Sequence, residues 1–303
     1  MIGLLVMSYG APNDPTEIEA YYTHVRRGRP PTPDALADLQ RRYFAIGGVS
    51  PLAMRTQDQA TGIGAALERL QPGRWRVVVA SKHAFPFIDD GVSQVASLGI
   101  HHAVGLVMAP HYSALSVGEY ADQAKSAARV AWVEMRFVES WNLLPGLIAC
   151  LAGRLVAAIE SLPEEVRGAT QVLVTAHSLP ERVVEMGDPY PAQLRQTAEA
   201  VTAAAGVERW EIAWQSAGRT PEPWLGPDLG DSVRAAAASG ARAVVVCPAG
   251  FTSDHLEVLY DVDIEAVRLA ESLGLILVRT ESLNDDPTLM GALAELVIHT
   301  WEA

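Results

Sequence analysis

Cysteine is nearly absent from this chain of 303 residues: there are two, Cys150 and Cys247. They lie far apart, with no CxxC pair and no set of four thiols. That excludes an iron–sulfur cluster and a thiolate-built structural zinc site. Both sit in apolar surroundings, as buried free thiols do. Positive charge is also scarce. The 23 Lys and Arg against 36 Asp and Glu leave a net charge of −13, which argues against general affinity for nucleic acid or anionic lipid. No apolar run reaches about eighteen residues, so no transmembrane segment is expected. Residues 1–7 are apolar but short, lack a basic flank and run directly into Tyr9-Gly10-Ala11-Pro12. No targeting segment is expected, and the expected setting is reducing and cytoplasmic. Gly62-Ile63-Gly64 follows no strand and has Leu67 at the third glycine position, so it is not a dinucleotide fingerprint.

What is present is a regular alternation. Apolar runs at 2–8, 74–81, 103–109 and 133–138 read as buried parallel strands, with helical patterns between them at 56–70, 87–98 and 116–131. The pattern repeats, with strands at 171–176, 211–214, 243–247 and 275–279 and helices at 147–161, 190–205, 231–239, 257–273 and 285–300. The expected fold class is therefore α/β: two similar Rossmann-like lobes, each a four-stranded parallel sheet flanked by helices, around a central cleft. The lobes would span residues 1–141 and 142–284, with a C-terminal helix at 285–303. Glu139-Ser140-Trp141-Asn142 and Glu281-Ser282-Leu283-Asn284 close the two halves alike, which suggests an internal duplication. Residues 13–54 form a long polar excursion rich in Arg, Pro and Tyr. Part of it, 34–43, reads as helix with Thr32 or Asp34 at its start, and the rest as loop; so long an insertion is usually functional.

Polar residues gather where strands end: Tyr9, Lys82-His83, His111, His177, Ser216 and the segment after Cys247. In an open parallel sheet those ends face the ligand. Residues 244–265 read VVVCPAGFTSDHLEVLYDVDIE. Asp254 has the look of an N-cap, with Glu257 three residues on. Glu257, Asp261 and Glu265 then fall at i, i+4 and i+8, one face of a helix, with no Lys or Arg interleaved. A solvated acidic face would give the same pattern, as a satisfied core histidine would explain His177 alone. At a strand's C-terminal end, a row of hard oxygen ligands suits a divalent cation.

Together these residues resemble the ferrochelatase family, most closely its coproporphyrin III branch from bacteria of Gram-positive type. The resemblance covers nearly the whole chain. It is carried by residues 3–12 (GLLVMSYGAP), 21–29 (YYTHVRRGR), 45–52 (AIGGVSPL), 176–180 (AHSLP), 187–191 (GDPYP), 214–220 (WQSAGRT), 223–227 (PWLGP) and 254–261 (DHLEVLYD).

The resemblance implies a porphyrin in the cleft and insertion of Fe²⁺ with loss of two pyrrole protons. His177 and Glu257 would be catalytic on one face of the ring, with Tyr9 on the other. The metal would be handled by His177, Glu257, Asp261 and Glu265, the carboxylates on a π-helical stretch. Tyr9, Arg26, Arg42, Tyr43, Ser50, Tyr120 and Ser216 match porphyrin-contacting positions. Lys82-His83 matches a pair at the cleft edge without a clear role. Neutral His177 suits a base near neutral pH. No prosthetic group is implied: Fe²⁺ is substrate, and the carboxylate row leaves room for Mg²⁺. Partners would be porphyrin, iron and, transiently, neighbouring heme-pathway enzymes. Within the family, the polar, arginine-rich 21–43 region favours coproporphyrin III over protoporphyrin IX. Rival readings are a sirohydrochlorin cobalt or iron chelatase, disfavoured because Glu257 stands where that group places a second histidine, and a non-catalytic tetrapyrrole-binding protein, disfavoured by the absence of an export signal.

Overall fold

The computed structural model describes residues 1–218 and 220–303; Arg219, part of the 214–220 motif, lies outside the described residues. In chain order the elements are β1 (Ile2–Ser8), a 3₁₀ turn (Pro15–Glu17), α1 (Ile18–Val25), α2 (Pro33–Ala45), α3 (Leu52–Leu70), β2 (Trp75–Ser81), α4 (Ile88–Ser97), β3 (His102–Val107), α5 (Val117–Ala131) and β4 (Glu134–Val138). The second half holds α6 (Pro145–Glu160), α7 (Glu164–Arg167), β5 (Thr170–His177), α8 (Arg182–Glu185), α9 (Tyr190–Ala205), β6 (Trp210–Gln215), α10 (Leu229–Ala238), β7 (Ala243–Cys247), α11 (Leu256–Leu259), a π-helix (Asp261–Ala266), α12 (Val267–Ser272), β8 (Ile276–Arg279) and α13 (Pro287–Glu302).

The strands form two parallel four-stranded sheets, ordered β2-β1-β3-β4 and β6-β5-β7-β8. The same order occurs twice, as an internal duplication requires. In each sheet the order reverses beside the first strand of its half, between β1 and β3 and between β5 and β7. Such switch points open a crevice at the strands' C-terminal ends. Tyr9 follows β1, His177 ends β5, and the Glu257 segment leaves β7.

Strand periodicity assigns the layers. In β1, Leu4 and Val6 point into a core shared with Ile63 and Leu67 of α3, Leu151 and Leu155 of α6, Val172 and Val174 of β5, and Leu289, Leu293 and Val297 of α13. Leu5 and Met7 point the other way, onto Val92 and Val95 of α4 and Val117 and Ala124 of α5. On the far side of the second sheet, Leu173, Val244 and Val246 meet Val233 of α10 and Val262, Ala266 and Ala270 of the π-helix and α12. Each fully buried Leu or Val contributes about 1.5–3 kcal/mol of burial free energy. One continuous core thus joins the two sheets, and α13 packs on α3, β3 and β4 of the first half as well as on α6.

Three local expectations are corrected. Residues 18–25, read as loop, form α1, which packs against α2. The short α7 and α8 were not anticipated. Asp254 is not an N-cap: His255 occupies that position and makes no side-chain cap. The Asp254 carboxylate instead accepts from Ser282 Oγ (2.6 Å) and Asn284 Nδ2 (3.1 Å), across the turn that follows β8. For α2, Thr32 is the cap, its Oγ1 accepting from Ala35 N.

Candidate active site

His177 and Glu257 reach each other from adjacent strands. The chain leaves β7 through Pro248-Ala249-Gly250. A Cβ on Gly250 would lie 2.5 Å from that of Ala176, so only glycine lets this turn press onto the end of β5. His177 Nδ1–H donates to Ser178 O, and Nε2 faces Glu257 Oε1 at 3.5 Å. Tyr190 Oη donates to His177 O (2.9 Å), and Gln215 Nε2 donates to Glu257 O (3.1 Å), fixing both backbones. His255 takes the other carboxylate oxygen of Glu257, Nε2 to Oε2 3.2 Å, while its Nδ1 turns to Ser253 O (2.8 Å).

The charges follow from this geometry. Burial disfavours the imidazolium of His177, but the Glu257 carboxylate, the hydrogen bond to it and the Ser178 carbonyl outweigh burial and raise its pKa above the ordinary value. Burial likewise opposes ionisation of Glu257, yet His177 and His255 together hold its pKa well below the usual carboxylate range. Each group thus shifts the other, the His177 pKa upward and the Glu257 pKa downward, which favours the imidazolium–carboxylate form relative to the isolated side chains. A divalent ion at Glu257 would remove the charge that supports the imidazolium.

The carboxylate row continues onto the π-helix, marked by the bond from Glu265 N to Tyr260 O (2.9 Å). Its exposure is not graded along the chain: the Glu257 side chain is 33 % exposed, that of Asp261 13 % and that of Glu265 49 %. Asp261 accepts from Ser216 Oγ (2.5 Å) and Arg42 Nη1 (3.2 Å). Burial pushes its pKa up to about 6, with Glu257 and Glu265 adding to the rise and Ser216 and Arg42 opposing it. The row is therefore not free of counter-charge. Arg42, 219 positions earlier in the chain, ties Asp38 (3.2 Å) to Asp261, approaches Glu265 (3.9 Å) and lies over the Tyr260 ring (4.9 Å). Among the described residues no three His, Cys, Asp or Glu side chains form a preformed metal cage. The carboxylates form an open row and not a closed site.

Tyr9, at the end of β1, is 42 % exposed, with its phenol pKa raised by burial, then by Glu257 and Glu119. The Tyr9 ring is 4.6 Å from that of His83, whose Nδ1 lies 3.0 Å from His24 Nδ1. Burial, then Lys82, His24 and Arg27, push the pKa of His83 down to about 3. Tyr43 and Tyr120 are buried, their phenols raised by burial and then partly by Glu257. Lys82 Nζ lies over the Tyr120 ring (5.1 Å) and binds Glu119. Ser50 is buried and accepts from Leu52 N at the start of α3 (3.3 Å). Arg26 is exposed, its Nε donating to Arg29 O (3.2 Å) and its guanidinium 5.6 Å from the centre of the Tyr22 ring. Sequence reasoning missed His255, Gln215 and Tyr190 as supports. Each stood within a quoted motif, the signal available for them.

A family model for ferrochelatase matches residues 1–300. The chain belongs to the ferrochelatase family. It is 45 % identical to the coproporphyrin III ferrochelatase of Anoxybacillus flavithermus, over 99 % of this chain and 96 % of the relative. It is 43 % identical to that of Bacillus subtilis, over 98 % and 97 %. Among solved structures, the sirohydrochlorin chelatase SirB from Bacillus subtilis subspecies spizizenii in complex with cobalt superposes with a TM-score of 0.60 at 10 % identity, over 99 % of this chain and 95 % of the other. At that identity the likeness is one of fold, and it places the two-sheet arrangement of this ferrochelatase among the chelatases. None of its described helices is long and apolar enough to cross a membrane.

Proposed function

We propose that this ferrochelatase inserts Fe²⁺ into coproporphyrin III, giving coproheme and releasing two pyrrole protons. The observation that carries the chemistry is the His177–Glu257 couple at the switch point of the second sheet, 3.5 Å apart and heading the carboxylate row. Lobes 1–141 and 142–284 would enclose the ring, with 285–303 as a brace.

In this reading His177 and Glu257 take the pyrrole protons from one face, and Tyr9 faces the other. Glu265 and Asp261 pass hydrated Fe²⁺ inward to Glu257. Their oxygens hold the ion loosely enough to surrender it to the ring nitrogens. Mg²⁺ would fit the outer stations. Arrival of iron at Glu257 frees His177 to act as base, which couples metal arrival to proton removal. Arg26, Arg42, Tyr43, Ser50, Tyr120 and Ser216 would hold the propionates, each charge-assisted bond contributing about 1.5–3 kcal/mol. Four such carboxylates distinguish coproporphyrin III from protoporphyrin IX, and the names of the relatives favour the same choice. Gripping the ring's edge from several sides would help bend it and bare its nitrogens, a use of binding energy for distortion. The setting would be the cytoplasm, with transient contact to neighbouring heme-pathway enzymes for product transfer.

Anaerobic incubation with Fe²⁺ and coproporphyrin III, protoporphyrin IX or sirohydrochlorin, followed by absorbance, tests the reading. Fastest metallation of coproporphyrin III is expected. Faster turnover of protoporphyrin IX would overturn the substrate, and of sirohydrochlorin the activity itself.

A further inference from the structure

The carboxylate row works only if three side chains eight residues apart share one face. A plain α-helix keeps them on one broad face but out of line. At 3.6 residues per turn, four residues overshoot a revolution by about 40° and eight by about 80°. Here an α-turn over Leu256–Leu259 is followed by the wider π-turn, whose extra residue brings the carboxylates back into line. π-turns are rare, and something outside the helix must hold this one in place.

We propose that Arg279, at the end of β8, is the positioning residue that holds the π-turn in register, and so sets the affinity of the row for divalent iron. This rests on the reading of the row as the iron path. The Arg279 guanidinium is only 14 % exposed, and every one of its nitrogens has a partner. Nε and Nη2 grip the two oxygens of Asp263, at 2.7 and 2.9 Å, in a bidentate pair. Nη1 donates to Thr280 O and to Ser282 Oγ, each at 3.0 Å. Nη2 also lies 3.5 Å from Asp254 Oδ1. Asp263 sits between Asp261 and Glu265 in the chain and faces away from them, toward β8. Asp254 sits three residues before Glu257. One planar group thus ties the segment down before the row, at Asp254, and within it, at Asp263. The pin is rigid at its own end, because Thr280 N is bonded to Val246 O of β7, the strand from which the segment departs. Lysine could match the charge but not the two-point grip.

The expected signature is a split between substrates. Arg279→Met should raise the Fe²⁺ concentration for half-maximal rate about tenfold or more, while the half-saturating coproporphyrin III concentration moves less than twofold. Arg279→Lys should recover little of the loss. Asp263→Asn keeps the ties of Arg279 to Asp254 and Ser282, so it should show the same split in weaker form and serves if Arg279→Met fails to fold. In the double variant Arg279→Met/Asp263→Asn, the iron defect should not exceed that of Arg279→Met alone, since the two residues act as one unit. If either variant weakens both substrates equally, or lowers the maximal rate with unchanged iron dependence, Arg279 merely supports the fold and the inference fails. Full rescue by Arg279→Lys also overturns it. A wild-type protein that inserts no iron would instead sink the functional reading.

Discussion

Two histidines stand at strand ends in the two halves, and their surroundings shift their pKa values in opposite directions. His83 lies just beyond β2, beside Tyr9; His177 ends β5, beside Glu257. Burial penalises the imidazolium at each. At His83 the neighbours are Lys82, Arg27 and His24, and the pKa falls to about 3. At His177 the neighbours are Glu257 and a backbone carbonyl, and the pKa rises. Each sheet supplies a strand end, and the neighbouring charge sets which form of the imidazole is favoured there. The corner around His83 holds Lys82 and Arg27, both bridged to Glu119, and takes no positive charge from its histidine. The corner around His177 sets Glu257 and Asp261 beside an imidazole whose charged form they favour.

The comparison breaks most severely if the acidic corner is disabled. His177→Ala should fold normally and lose iron insertion by roughly 10²–10⁴, the usual worth of a general base. Anaerobic metallation rates with a thermal melt for each variant decide this, and near-wild-type insertion would remove His177 from the mechanism.

A smaller effect is expected at the middle station. The pKa of Asp261 is raised in the folded protein, so the native state binds more protons than the unfolded one between the ordinary value near 3.8 and about 6. Stability therefore falls as pH rises through that window, and the ionised carboxylate is a burden at neutral pH. Asp261→Asn should raise the melting temperature by a few degrees at pH 7.5, with the gain shrinking toward pH 4.5. Melts across that range without divalent metal check it; a gain that grows on acidification would contradict the sign.

The smallest effect concerns the cationic corner. Lys82→Met should move the His83 titration up toward the ordinary histidine value, visible by NMR, while leaving His177 unchanged. No movement would mean that Lys82 has no part in holding His83 neutral, leaving burial, His24 and Arg27.

The strands, their parallel order and the crowding of polar residues at their C-terminal ends were legible because each rests on local patterning: apolar runs, turn residues and helical spacing. The candidate residues Tyr9, His177 and Glu257 could be picked from those positions. What was not legible was non-local. α1 carries Tyr21, Tyr22, Thr23 and Val25, aromatic and β-branched residues that propensity does not favour in helices, and packing on α2 overrides that preference. Asp254 has the composition of a cap, but Ser282 and Asn284, brought in by β8, engage its carboxylate first. The counter-charge of the row was invisible for the same reason: Arg42 meets Asp261 only in the folded molecule.

The position of α13 sets a clock on synthesis. This helix covers part of the first sheet, lying against β3 and β4, and supplies Leu289, Leu293 and Val297 to the core that joins both sheets. When β4 leaves the ribosome, roughly 150 further residues must be made before α13 follows, a wait on the order of ten seconds at about 5–20 residues per second. Through that interval one apolar face of an otherwise complete four-stranded sheet stays partly bare. The nascent first half is then a client for holding factors, and a ribosome stalled in the last two helices would leave a chain able to aggregate through that face.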